Sequence, residues 1–259
     1  MSGVMTGGWT ARRFWTDVSV IETDGGYGVQ LDARRVMTPG KIALTVPSRA
    51  MAHAVAAEWA AQDGVIEPLS MPVTRAANSA IERVRPQRAE VAAMLGAYAE
   101  TDLICHRAET PEVLARLQAD AWDPMLDWAE RSHGVRLVPT KGILPVAQPP
   151  QALAVLGAHV AGLDEFHLTA LHDLVAISGS LILGLATAAG DIAPDRAWSL
   201  SRIDEDWQIA QWGHDDEAAA IAESKRSAFF QAGAFWGMSA ADGHARDDFN
   251  PHSPGKALI

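Results

Sequence analysis

Residues 41–62, KIALTVPSRAMAHAVAAEWAAQ, contain the switch that sets the fold class. Lys41–Val46 has strand chemistry. Pro47-Ser48 interrupts it, and Arg49–Gln62 follows as an alanine-rich amphipathic helix. Met51, Val55, Ala56 and Trp59 fall on or near one face of that helix. Asp63-Gly64 stops it. Upstream of the switch the chain reads as sheet, and downstream it reads mostly as helix.

Upstream, Phe14, Asp17–Ile21 and Tyr27–Leu31 partly alternate apolar and polar residues. Asp24-Gly25-Gly26 between them is a hairpin signal, because glycine reaches positive φ without strain. Asp32-Ala33-Arg34-Arg35 reads as a second turn. Residues 12–46 are therefore expected to form a small antiparallel β domain, too small to be stable without packing on something else. Residues 1–11 are expected to be a disordered N-terminus.

Downstream, a loop through Glu67-Pro68 and Met71-Pro72 leads to a helix near Arg75–Val84. Pro86 opens another, running to about Ala99. Pro111–Ala121 and Pro124–Ser132 read as two pieces, with Asp123 as N-cap and Pro124 in the first position of the second. Val135–Val138 and Ile143–Val146 suggest a second hairpin around Thr140-Lys141-Gly142. Pro149-Pro150 starts a helix to about Val160. Asp164 caps a long apolar helix ending near Gly190. Its uncharged core, 174–189, is shorter than the roughly twenty residues that span a bilayer. With Asp173 and Asp191 beside it, it reads as a buried central helix. One helix is expected from Pro194 to Gly213 and a last one from Asp215 to Met238. The helical domain is thus 47–238, followed by a polar, flexible tail, 239–259. The fold class is α+β: a small N-terminal antiparallel β domain followed by a larger, mainly α-helical domain.

The net charge is −11, from 21 Lys plus Arg against 32 Asp plus Glu. Phosphate backbones and anionic membranes need basic patches, so nucleic acid and membrane insertion are not expected. One cysteine, Cys105, excludes an internal disulfide. The opening MSGVMTGGWTARRFW lacks the apolar region of a secretory signal. A bacterial cytoplasm is the expected compartment, with a mitochondrial matrix as the alternative.

No catalytic, cofactor or metal site emerges. There is no phosphate-binding glycine loop, and Gly25–Gly28 is turn chemistry. His167 and His172 are five apart, which does not place two ligands on one helical face. Ser253–Lys256 matches Ser-x-x-Lys in a tail unsuited to holding a nucleophile. Cys105 reads as a small buried apolar residue. The most distinctive stretch is Trp198–Glu217, WSLSRIDEDWQIAQWGHDDE, with three of the nine tryptophans and two acidic clusters. On one continuous helix, Leu200, Ile203, Trp207 and Ala210 share a face, and Trp198, Arg202, Glu205, Ile209 and Trp212 fall roughly opposite. Asp204, Glu205 and Asp206 fan around the axis. A helix apolar on two sides is sandwiched between layers or offers one side to a partner.

Several segments together resemble a known family. They are Tyr27–Pro39 (YGVQLDARRVMTP), Val46-Pro47-Ser48, Ala57-Glu58-Trp59 with Gln62, and Met71–Thr74 with Ala77-Asn78. Tyr98 with Thr101-Asp102-Leu103, Gln118 with Trp122-Asp123-Pro124, and Asp127-Trp128 continue the series. Ser178-Gly179-Ser180, Leu183–Ala186 and above all Ser201–Gly213 (SRIDEDWQIAQWG) complete it. The ordered set, over roughly 12–238, resembles the assembly chaperones that act on the α subunit of the ATP synthase F(1) head. His214 departs from the acidic residue that the pattern places there.

The resemblance implies a non-catalytic chaperone. It would hold the unassembled α subunit, prevent its aggregation and hand it to the β subunit. The candidate client contacts are Arg202, Asp204, Glu205, Asp206, Ile209 and Trp212. Among them Glu205, Asp206 and Trp212 are favoured, with Leu200, Ile203 and Trp207 expected as core. The alternatives are an acid/base enzyme using the Asp204-Glu205-Asp206 helix, or a helical interaction protein with another client.

Overall fold

The computed structural model describes residues 12–142 and 146–240. The expectations for residues 1–11 and for nearly all of the 239–259 tail, including Ser253–Lys256, lie outside the described residues.

The first elements are strands β1 (Val18–Thr23) and β2 (Gly26–Leu31), paired antiparallel from Val18↔Leu31 to Thr23↔Gly26. Gly26 has φ +142°, and a Cβ there would come within 2.2 Å of the Val46 carbonyl oxygen, so the hairpin needs glycine at this crossing. β3 (Arg34–Arg35) and β4 (Thr45–Val46) also pair antiparallel with β2. Of the expected strand at Lys41–Val46, only the last two residues form β4. Val29, Leu31, Val36, Leu44 and Val46 are buried, in one cluster with residues far along the chain: Phe166, Ala170 and Phe235. The small sheet is stabilised by helices laid against it.

Helix α1 (Arg49–Ala60) starts where the sequence switch places it. The Ser48 hydroxyl accepts the Met51 N–H at 3.0 Å, satisfying one of the free donors of the first turn. The same hydroxyl donates to the Met238 carbonyl at 2.5 Å, tying the switch to the end of the helical part. From α1, the Glu58 carboxylate accepts the Val73 and Thr74 N–H groups at 2.7 and 2.8 Å. It thereby caps α2 (Pro72–Ser79), which widens into a π turn at Ala80–Val84. Helices α3 (Arg88–Ala97), α4 (Glu112–His133), α5 (Pro150–Ala161) and α6 (Glu165–Ser178) follow. Then come α7 (Leu181–Ala189), α8 (Pro194–Ser201), α9 (Ile203–Trp212) and α10 (Asp216–Ser239). The main core joins Leu95, Trp122, Leu126, Leu156, Leu171 and Leu183. No helix among the described residues is long and apolar enough to cross a membrane.

The structure corrects four sequence expectations. The central apolar helix is two helices, α6 and α7. Gly179 takes φ +73° as the left-handed end of α6, and the Ser180 hydroxyl caps α7 by accepting the Leu183 N–H at 3.0 Å. Conversely, the two pieces expected around Pro124 are one helix, α4. A proline inside a helix costs about 3 kcal/mol. Burying Trp122, Met125, Leu126 and Trp128 on both sides of it, at about 1.5–3 kcal/mol per side chain, outweighs that cost. Asp123 therefore caps nothing and pairs with Arg107 instead, at 2.8 Å.

The second hairpin does not form among the described residues. Thr140–Lys141, expected as its turn, is strand β6 and runs parallel to β5 (His106–Arg107). Residues 143–145 lie outside the described residues. The last correction is that Pro194–Gly213 is not one helix. It breaks at Arg202 (φ −110°, ψ 6°) between α8 and α9. Two groups compete there for backbone acceptors that a continuing helix would use. The Trp122 indole donates to the Leu200 carbonyl at 2.8 Å, and the Ser201 hydroxyl donates to the Trp198 carbonyl at 2.8 Å.

Candidate functional site: an exposed helical arm

The break at Arg202 separates the two halves of the acidic stretch. Leu200, on α8, is buried in the main core, and Ile203 packs against it half-buried. Beyond Ile203 the chain leaves the core. No residue of α9 is buried, and His214–Ala218 is exposed throughout. Trp212 is 79% exposed and Ile209 40%. Trp207, expected as core, is only half-buried. The reason is the break itself, which carries α9 out of the line of Leu200.

The six candidate residues have three kinds of surroundings. Asp204 turns inward and accepts from the Gln118 amide at 2.6 Å. Gln118 is buried on α4, and its carbonyl accepts the Ala108 N–H at 2.7 Å. Asp204 is thus the tether that holds α9 to α4. Arg202 sits over the Trp198 ring at 5.5 Å, with Glu205 and Asp206 at 3.5 and 4.0 Å. Its guanidinium is mostly buried at the bend, between the indole and the two carboxylates. The remaining four, Glu205, Asp206, Ile209 and Trp212, are exposed. Trp198 no longer shares a stripe with Trp212, because it belongs to α8.

A direct expectation follows for the tether. Asp204→Ala leaves the buried Gln118 amide without an acceptor, a cost of about 1–3 kcal/mol. Amide hydrogen exchange of α9 should speed up, while that of the core helices stays unchanged. If α9 protection is unchanged in Asp204→Ala, Gln118 does not hold the arm.

Sequence reading missed three exposed apolar side chains on the helices that flank α9 in the chain's helical part. Val113 and Leu117 on α4 are 61% and 46% exposed, one turn apart and next to Gln118. Ile221, in the exposed first half of α10, is 52% exposed. The signal for Val113 and Leu117 was faint, because α4 is apolar around most of its first turns. It lies in Gln118: with a polar residue buried and bonded to α9, the outward stripe shifts to Val113 and Leu117.

The acidic trio does not form a facing pair, since Asp204 points to α4 while Glu205 and Asp206 point to solvent. Cys105 is buried, and burial with Asp102 nearby pushes its thiol up to about 12. Among the described residues there is no cluster of three or more His, Cys, Asp or Glu side chains able to hold a metal ion.

Residues 12–130 match the family model of the ATP12 chaperone protein. The crystal structure of Atp12 from Paracoccus denitrificans is similar at a TM-score of 0.88 and 51% identity, covering 90% of this chain and 100% of that one. The Atu1473 protein from Agrobacterium tumefaciens is similar at a TM-score of 0.83 and 36% identity, covering 88% of this chain and 85% of that one. The mitochondrial protein atp12 of Schizosaccharomyces pombe is 23% identical over 222 residues, 81% of this chain and 76% of that protein. The ordered motifs, the fold and these likenesses agree: the chain belongs to the ATP12 chaperone family.

Proposed function

We propose that this chain is an assembly chaperone of ATP synthase. It holds the unassembled α subunit of the F(1) sector, prevents its aggregation and yields it to the β subunit. Family membership supports the assembly role. The single structural observation that carries the client reading is the arm, where Trp212 and Ile209 lie exposed beside Glu205 and Asp206. A folded chain gains nothing by holding an indole in water. An aromatic anchor ringed by polar groups is the common make-up of a protein-binding patch. A net charge of −11 speeds encounter with a client whose interface is basic. Release needs no nucleotide if the β subunit competes for the same α surface. A bacterial cytoplasm is the proposed compartment, supported by the higher identity to the Paracoccus protein than to the mitochondrial one.

Co-expression with the α and β subunits, followed by size exclusion, tests this reading. The chain should co-elute with isolated α subunit and be absent from assembled hexamer. A chain that never co-elutes with α, at any subunit ratio, ends the proposal.

A further inference from the structure

Against α4, Arg107 holds a positive charge with little company. It closes β5 and is 6% exposed. Its guanidinium lies 5.2 Å over the Trp122 ring, and Nη2 donates to Asp123 at 2.8 Å. Nε and Nη1 are buried and have no hydrogen-bond partner among the described residues. Asp123 is itself half exposed, so water weakens its hold on the charge. Burial lowers the Arg107 pKa even with Asp123 beside it, as expected of a charge that its surroundings do not fully compensate. Buried donors without acceptors are rare in folded proteins, and two on one guanidinium need an explanation.

A notch of about 320 Å³ opens beside this guanidinium. Ala115 and Ala119 of α4 leave it room, and Arg116 and Lys141 stand at its edge. Arg116 is paired with Glu112 at 2.9 Å, but both side chains are highly exposed and the pair is easily exchanged. Lys141 is exposed and has no ion-pair partner among the described residues. Arg107, Arg116 and Lys141 outnumber Glu112 and Asp123 around the notch, in a chain whose net charge is −11. With the Glu109 carboxylate beside Gly142 counted too, the surroundings of the notch are near balance, against a strongly negative whole.

We propose that this notch binds a phosphate-class oxyanion, seated on the Arg107 guanidinium and closed by Lys141 and Arg116. Donors approach from three side chains on β5, β6 and α4, which suits an oxyanion with several acceptor oxygens. Arg107 supplies a desolvated, incompletely compensated charge at the wall of the notch. Lys141 supplies a point charge from the opposite strand.

Titration of the full chain with inorganic phosphate, at constant ionic strength, tests the site by calorimetry and by the side-chain ¹⁵N shift of Arg107 Nε. Saturable binding at one site is expected, with the Arg107 signal shifting along the same curve. Lys141→Gln should weaken binding about three- to fivefold, the worth of one exposed charge. Lys141 is exposed, so this variant tests the site even if Arg107→Gln fails to fold. A parallel titration with AMP identifies the source of the phosphate. Tighter binding of AMP assigns the site to phosphate esters, and equal or weaker binding assigns it to the free ion. Shifts that never saturate, or affinities equal in wild type and Lys141→Gln, overturn the proposal.

Discussion

Asp102→Ala should destabilise the chain by about 4 kcal/mol at pH 5, read from urea denaturation, because it leaves two buried backbone donors without an acceptor at about 1–3 kcal/mol each, together with a serine hydroxyl. Asp102 is fully buried where three segments meet. Its carboxylate accepts the Ile104 N–H at 3.2 Å, holding its own turn, and the Ile182 N–H at 3.0 Å, at the start of α7. Leu103 N–H donates to the Gly179 carbonyl at 3.0 Å in the same joint. One side chain therefore sustains the break between α6 and α7 from 80 residues away in sequence.

The loss should depend on pH, with a sign that follows from burial. Burial pushes the Asp102 carboxyl up to about 6 from 3.8, against the Ser180 and backbone hydrogen bonds that lower it. A carboxyl that titrates higher in the folded chain holds its proton more tightly there than when unfolded. Its contribution is full below about 3.8 and declines as pH rises through about 6. That difference in pKa corresponds to about 3 kcal/mol across the window. The stability gap between wild type and Asp102→Ala should therefore narrow from pH 4 to pH 7. No loss at pH 5 would show that Asp102 does not hold the joint, and a gap that widens with pH would show that its hydrogen bonds outweigh burial in setting the folded pKa.

This joint also shows where sequence reading reaches its limit. Ser178-Gly179-Ser180 reads as small residues inside an apolar helix, because periodicity across 174–189 is unbroken. The break depends on Asp102, and no local window contains both. The same holds at Arg202, where the Trp122 indole claims the Leu200 carbonyl across 78 residues. At Pro124 the failure has the opposite sign: the local rule is sound, and the buried side chains on either side override it. What was legible was local. The Asp24-Gly25-Gly26 hairpin, the Ser48 start of α1 and the Asp164 cap of α6 each rest on groups a few residues apart. At the candidate site the residue types were legible, but their surroundings were not. Asp204 and Glu205 are adjacent in sequence, yet one is a tether and the other faces water.

That division makes the arm testable residue by residue. Trp212→Ala should weaken binding to the isolated α subunit by about 2 kcal/mol or more, roughly thirtyfold, the range for an aromatic anchor at a protein interface. Had Trp212 been core, the same change would cost about 3–5 kcal/mol of fold stability. Its 79% exposure removes that outcome, and a surface substitution of this kind changes stability by about 0.5 kcal/mol or less. Glu205→Ala breaks only the 3.5 Å pairing with Arg202, half in solvent and worth about 0–1 kcal/mol. It too should leave melting unchanged and act on binding, with a smaller effect than Trp212→Ala. Trp122→Ala marks the contrast. It empties a fully buried site and removes the donor to Leu200, so it should lower stability by about 3–5 kcal/mol and affect binding through the loss of fold. Affinity by calorimetry and melting by circular dichroism, measured on all three variants, separate the two behaviours. If Trp212→Ala binds the α subunit as tightly as wild type, the arm is not the client surface. The exposed Val113–Leu117 stripe of α4 then becomes the next surface to substitute.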